Sequence, residues 1–210
     1  MKAGAAKTAH RPLARSELPV DTAALARFLV GKLLVRDLPE GAAIGRIVET
    51  EAYVIGDAAG HAYGGMTPRN RSLFLERGHA YVYLAYGLSW MLNVSSETPG
   101  VGAGVLIRAL EPLEGIAIMA NNREIKRLSD LARGPGRLAQ ALRINRSLDG
   151  LDLCEEGPLW LAHDDRGPGE IGEGKIGKSV RIGISKEADR LLRFYLRGSP
   201  FASGAKSLNG

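Results

Sequence analysis

Two carboxylates and an aromatic ring occupy alternate positions of one short run, Gly45 to Tyr53 (GRIVETEAY). Ile47, Val48, Thr50 and Tyr53 favour extended backbone and Gly45 can open it, so a strand is expected here. Side chains alternate faces along a strand, which puts Glu49, Glu51 and Tyr53 on one face. That pattern suits a solvated sheet face, and it equally suits a general base beside an aromatic wall. In YVYLAYG (Tyr81 to Gly87), Tyr81 and Tyr83 share a face by the same rule, with Val82 and Leu84 opposite. Arg108 lies within VLIRALEP (Val105 to Pro112) among apolar neighbours, where a guanidinium needs a partner. A carboxylate, aromatic rings and a guanidinium on three strands can face a common pocket.

The elements that must position these groups follow from pattern. Asp21 is expected to cap a helix from Thr22 to about Leu33, with Ala24, Leu25, Phe28 and Leu29 buried. Leu33 to Asp37 starts the sheet. Asn70 to Glu76 reads as a short helix stopped at Gly78. Glu114 to Asp130 reads as a longer one, opened by Pro112 and apolar at Ile116, Met119, Ile125 and Leu128. Gly134-Pro135-Gly136 breaks the chain before a helix over Arg137 to Ile144, with Leu138, Ala141 and Leu142 inward. Leu159 to Leu161, Val180 to Ile184 and Arg193 to Leu196 are expected strands. The stretch Asp164 to Lys178 is expected to be a polar, glycine-rich loop without a core contribution. No steady βαβ alternation exists, so the fold class is α+β.

Composition narrows the classes. The 210 residues suit one large domain, and 45% are apolar. Residues 1–17 are expected to form a flexible basic tail, 18–203 a single domain, and 204–210 a flexible end. No apolar run is long enough to span a membrane, and without an apolar h-region near the N-terminus secretion is not expected. A net charge of +5 is compatible with a polyanionic partner and does not establish one. One cysteine, Cys154, excludes an internal disulfide, and the four histidines show no zinc-like spacing. No metal and no cofactor are expected.

Two glycine patterns carry no function. Gly172 to Ser179 (GEGKIGKS) matches the phosphate-loop pattern, which needs a buried strand before it and a helix after it. HDDRGPGEI before it and VRIGIS after it meet neither need. Thr98 to Gly104 (TPGVGAG) resembles a DNA-binding turn between helices, yet its flanks are strand-like, so it is expected to join two strands.

VETEAY, AGHAYGGMTPRNRSLF, YVYLAYG, NVSS, VLIRALEPLEG, GPGRLAQAL and RFYLRGSP, in this order, resemble the alkyladenine (3-methyladenine) DNA glycosylase family from about Val20 to Phe201. The resemblance implies a single mixed domain with a curved antiparallel sheet, surrounding helices and a protruding β-hairpin that inserts into DNA. It implies base-excision repair: extrusion of a damaged purine from double-stranded DNA, then hydrolysis of the N-glycosidic bond by water, leaving an abasic site. Family substrates include 3-methyladenine, 7-methylguanine, hypoxanthine and ethenoadenine. By motif, Glu51 matches the general base and Arg108 the arginine that helps hold the water. The backbone carbonyl of Ile182 matches a third water contact. Tyr53, His61 and Tyr83 match the residues enclosing the flipped base. Asn93 matches a pocket-wall residue bearing on guanine selectivity, and Tyr86 the tyrosine that fills the gap in the helix. Arg69, Arg71 and Arg137 are candidate phosphate contacts, with a solvated basic face as the alternative.

Chemistry agrees with these roles. Damage that weakens pairing lowers the cost of extrusion, and an aromatic wedge recovers part of the lost stacking. Electron-poor alkylated purines stack well on tyrosine faces. Arg108 is expected to lower the pKa of Glu51 and keep it ionised, with Glu49 only a structural neighbour. A monomer acting in the cytoplasm on nucleoid DNA, or in a eukaryotic nucleus, is expected, with no membrane partner. The alternative function is a non-catalytic module that binds damaged DNA.

Overall fold

The computed structural model describes residues 10–165, 171–205, 207 and 209. Among them the chain adopts the expected α+β architecture, a curved antiparallel sheet with three helices. The strands are β1 (Leu33–Leu38), β2 (Gly41–Tyr53), β3 (Ala80–Ala85), β4 (Ser89–Ser95), β5 (Gly104–Glu114), β6 (Leu159–Ala162), β7 (Ile176–Ser179) and β8 (Arg193–Leu196). The helices are α1 (Thr22–Leu29), α2 (Ile116–Arg123) and α3 (Pro135–Ala141). The strand order is β3-β4-β5-β2-β1-β6.

β2 is the axis of this sheet. One edge pairs with β5 almost throughout, while the other pairs first with β1 and then, from Glu49 to Glu51, with β8. β7 adds to the outer edge of β8. The β2–β5 ladder is not regular. Ile47 faces Leu110, Glu49 faces Ala109 and Thr50 faces Ile107, so Val48 on β2 and Arg108 on β5 are each an extra residue. Such bulges bend the strand and re-aim a side chain. They fall where the carboxylates and the guanidinium must meet.

α1 packs its apolar side on this strand. Asp21 caps it as expected, its Oδ1 accepting from Ala24 N at 2.7 Å. Thr50 Oγ1 donates to the Ala26 carbonyl at 2.7 Å, tying helix to strand. Leu25 and Leu29 are buried, but Thr22 and Ala26 complete the buried face; Ala24 is exposed and Phe28 half-buried. The helix ends at Leu29 rather than Leu33. Gly31 turns at φ 95°, and its N–H donates to Ile47 O while Lys32 O accepts from Ile47 N, so the sheet captures these residues first.

Other boundaries differ for similar reasons. Pro112 lies inside β5 instead of opening a helix. It pairs with Gly45, and β4 covers only Gly104 to Leu106 of the opposite edge, so its missing N–H breaks no ladder there. The helix expected over Glu114 to Asp130 is therefore α2 followed by a separate turn at Leu128–Asp130, with Ile116 and Leu128 exposed and Met119 buried. Gly134-Pro135-Gly136 starts α3, with Pro135 at its first position; Leu138, Ala141 and Leu142 are buried as expected. Arg71–Phe74 is one 3-10 turn. Val180 to Ile184 is irregular, and the strand is Ile176–Ser179 instead. Thus part of the phosphate-loop match is a strand, and no helix follows it. Thr98 to Gly104 joins β4 to β5.

Leu13 is buried and its N–H donates to Leu161 O at 3.0 Å, so packing begins well before Leu18; residues 1–9 lie outside the described set. Asn209 Oδ1 accepts from Arg193 at 2.7 Å, within the end expected to be flexible. Among the described residues no helix is long and apolar enough to cross a membrane.

Gly115 makes the turn from β5 into α2 at φ 67°, and a Cβ there would lie 2.4 Å from Ala42 O. Gly115→Ala is expected to lower stability by about 1–3 kcal/mol, read as an earlier urea midpoint at unchanged slope.

Candidate functional site

The bulge on β5 points Arg108 between the two carboxylates of β2. Arg108 Nε donates to Glu49 Oε1 at 2.9 Å, and Nη1 lies 3.1 Å from Glu51 Oε2. Both glutamates have 0% exposure. Burying two like charges this close is costly unless each is paired and hydrogen-bonded. Glu49 receives the larger share. Its Oε1 also accepts from Arg193 Nε at 2.7 Å and from Ser203 Oγ at 2.9 Å, and its Oε2 from Ser203 N at 2.6 Å. Arg193 in turn donates to Ser203 O and to Ser179 Oγ, both at 2.9 Å.

Glu51 has fewer partners. Besides Arg108, Tyr53 Oη donates to Oε2 at 3.1 Å and Ile182 N donates to Oε1 at 2.7 Å. Ile182 thus gives its amide nitrogen to this carboxylate. Arg181 and Gly183 explain the placement. The Arg181 side chain is buried on Asp57, and Gly183 turns at φ 78°, so the chain leaves the ladder and turns its amide inward.

The two glutamates respond oppositely. Burial pushes Glu49 up, but Arg108 and Arg193 outweigh it and hold the carboxyl below 4.5. Burial dominates at Glu51 and raises it above 4.5 against the pull of Arg108 and the Ile182 N–H. Arg108 pulls the Glu51 pKa down as expected, but one shared guanidinium does not offset the burial, so the net shift is upward. Tyr53 is raised by burial and then by Glu51, so it stays a hydrogen-bond donor.

Beside this cluster opens a cavity of about 380 Å³ bordered by Tyr53, His61, Tyr83, Tyr86, Asn93, Arg108 and Ile182. All but one of the groups singled out for catalysis, the base pocket and the wedge border it; Glu51 lies directly behind Tyr53, Arg108 and Ile182. His61 and Tyr83 form a tilted pair with centroids 4.3 Å apart, and Tyr81 stacks behind Tyr83 at 5.4 Å. His61 Nδ1 lies 2.9 Å from Tyr81 Oη, which fixes the imidazole. Burial and the Arg69 charge lower the His61 pKa, so the ring is mainly neutral at pH 7. Asn93 Nδ2 donates to Tyr81 O at 3.3 Å, holding its amide at the wall.

β3 and β4 are joined by a tight turn in which Tyr86 and Gly87 have φ 51° and 70°. Positive φ at both positions suits the twist of paired strands and is easy for Gly87. It leaves Tyr86 93% exposed beside the cavity mouth, with Leu88 exposed next to it. Arg69 is exposed, its guanidinium 6.0 Å from the Tyr83 ring. Arg71 is also exposed, and Arg137 is half-exposed 3.6 Å from Asp130. Among the described residues no group of three or more His, Cys, Asp or Glu is arranged to hold a metal.

Four contributors escape a sequence reading. Arg193 and Ser203 reach Glu49 from 144 and 154 positions away, with no local pattern to join them. Asp57 and Arg181 form a buried pair against Tyr53. An arginine in the strand-like run VRIGIS was the one available signal.

The model of the methylpurine-DNA glycosylase family matches residues 16–200. A protein of Mesorhizobium japonicum, provisionally named a 3-methyladenine DNA glycosylase, is 75% identical over 95% of this chain and 93% of its own. The DNA-3-methyladenine glycosylase of Homo sapiens is 44% identical over 85% of this chain and 63% of its own. That of Mus musculus is 45% identical over 85% of this chain and 57% of its own.

Glu49→Ala is expected to cost about 3–5 kcal/mol in urea unfolding, because Arg108 and Arg193 lose their shared counter-charge. Glu49→Gln should cost less, since its amide oxygen still accepts. The lowered Glu49 pKa gives stability present above the unfolded value of 4.5 and lost as pH falls through the folded value. The thermal advantage of the parent over Glu49→Gln should therefore shrink on acidification below 4.5.

Proposed function

The chain belongs to the methylpurine-DNA glycosylase family, and from that premise we propose that it is a monofunctional DNA-3-methyladenine glycosylase of base-excision repair. Its substrates are alkylated and deaminated purines in duplex DNA, of the 3-methyladenine, 7-methylguanine, hypoxanthine and ethenoadenine class. The observation that carries this reading is a buried carboxylate of raised pKa, Glu51, set directly behind an aromatic cavity large enough for a purine.

A duplex hides the glycosidic bond, so the damaged nucleotide leaves the stack first. Tyr86 at its exposed turn enters the gap and restores part of the stacking. The extruded base lies between Tyr53 and the His61–Tyr83 pair. Stacking of this kind is worth about 1–3 kcal/mol per base. Asn93 presents its amide to the base and bears on guanine selectivity. Arg69, Arg71 and Arg137 serve the phosphates.

Cleavage proceeds through an oxocarbenium-like sugar. A carboxylate offers about four acceptor sites, and the contacts to Arg108, Tyr53 and Ile182 use three. The remaining one, on Oε1, takes a proton from water. The water oxygen bonds to the sugar C1′, the glycosidic electron pair leaves with the purine, and an abasic site remains. Arg108 orients Glu51 and the water. A raised pKa makes the ionised form of Glu51 a better proton acceptor than an ordinary carboxylate. A cationic alkylpurine needs no further proton to depart.

Single-turnover release of hypoxanthine and of 7-methylguanine from duplex oligonucleotides tests this reading. The parent is expected to release base without added metal, and Glu51→Gln to be slower by at least about 100-fold while still binding the lesion. Protonated Glu51 accepts no proton, so the rate should rise with pH through a value above 4.5. Tight lesion binding with no release by the parent would instead identify a damage-binding module. Undiminished release by Glu51→Gln would remove Glu51 as the base.

A further inference from the structure

Arg181 takes no part in the reaction above, yet its side chain is fully buried. Its guanidinium carbon lies 4.7 Å from the centroid of the Tyr53 ring. Nη1 donates to Ala52 O at 3.0 Å and to Asp57 Oδ2; Nη2 donates to Asp57 Oδ1 at 3.2 Å and to Glu187 O at 3.3 Å. Nε is buried without a hydrogen-bond partner. The guanidinium is thus fixed by a forked pair to one carboxylate and by two carbonyls, and its flat face is committed to the ring. Tyr53 and Asp57 border the cavity, as do Ile182, Gly183 and Ile184, but Arg181 does not. Tyr53 therefore has a permanent cation on a concealed face and a ligand space on its remaining surface.

An aromatic face attracts cations through its quadrupole, and more strongly when water is excluded. A ring already engaged by a guanidinium has less attraction left for a second cation on its other side. The two positive charges also repel each other through a poorly screening interior. A neutral purine stacks on the same ring with little of this loss. Asp57 opposes the effect by supplying negative charge at the cavity wall.

We propose that Arg181 is a specificity-determining residue: its charge, held against the concealed face of Tyr53 by Asp57, weakens that wall's grip on positively charged purines relative to neutral ones. The inference rests on the reading that the cavity receives an extruded purine. It gives the site a reason to accept neutral lesions beside cationic ones, instead of favouring charge as an unencumbered tyrosine wall would. Asp57 sets how strongly the Arg181 charge is felt.

The test is equilibrium binding of the full chain, in a Glu51→Gln background that slows release, to duplexes containing 7-methylguanine (cationic) or hypoxanthine (neutral). Arg181→Gln should shift the ratio of the two dissociation constants toward methylguanine by about fivefold, or about 1 kcal/mol. Arg181→Lys, which keeps the charge, should return most of the parent's ratio. Asp57→Asn, which leaves the guanidinium uncompensated, should shift the ratio the other way. Equal weakening for both lesions in Arg181→Gln and Asp57→Asn, or shifts of the same sign, would reduce Arg181 to a structural prop and overturn the proposal. Should Arg181→Gln lack a cooperative thermal transition, Asp57→Asn still refutes: a ratio that is unmoved, or that moves toward methylguanine, overturns the proposal. Absence of base release by the parent with Glu51 intact would be a failure of the glycosylase reading, whereas an active parent with unmoved ratios is a failure of this inference only.

Discussion

One guanidinium held between two buried carboxylates governs the centre of this molecule. Glu49 and Glu51 lie two residues apart on β2 with no solvent exposure, and Arg108 contacts both. Two unneutralised carboxylates could not be buried there. The sheet supplies Arg108 from a bulge on β5 and Arg193 from β8, and the C-terminal segment closes the cluster through Ser203. Strand pairing, bulge and C-terminal closure therefore answer one electrostatic requirement. Because Arg193 and Ser203 favour Glu49, Glu51 is left under-compensated, and the two identical side chains shift in opposite directions. Pairs of titratable groups driven apart by their surroundings are a usual mark of acid–base chemistry.

The same strand also builds the wall of the site. Tyr53 ends β2, donates to Glu51, and carries Arg181 on its concealed face. Position 181 precedes the amide that holds the other oxygen of Glu51. A single excursion of irregular chain therefore supports the Glu51 carboxylate and the aromatic wall together. Across the cavity, Tyr83 and Tyr81 stand on β3, whose turn also presents Tyr86. The aromatic wall and the exposed tyrosine are thereby held on one pair of strands.

Much of this was legible because the patterns are local. Alternation placed Glu49, Glu51 and Tyr53 on one face, and Tyr81 with Tyr83 on another. Asp21 announced the start of α1. Other features depend on contacts the sequence does not display. The length of α1 was set by the sheet's claim on Gly31 and Lys32. Pro112 reads as a helix opener unless the uncovered edge of β5 is known. The identity of the strand near residue 180 was decided by Arg181 and its partner Asp57, 124 positions away. Pattern alone also makes Glu49 a mere neighbour, and it leaves Arg108 dominant over Glu51 because burial has no sequence signature.

The central claim is that the shared guanidinium leaves one carboxylate fixed as an anion and the other as a base. Carbon-13 NMR titration of the two glutamate carboxyl groups in the folded protein measures this directly, with Glu49→Gln providing the assignment. The account requires Glu49 to titrate below 4.5 and Glu51 above it. Both groups titrating below that value, or the order reversed, would contradict it.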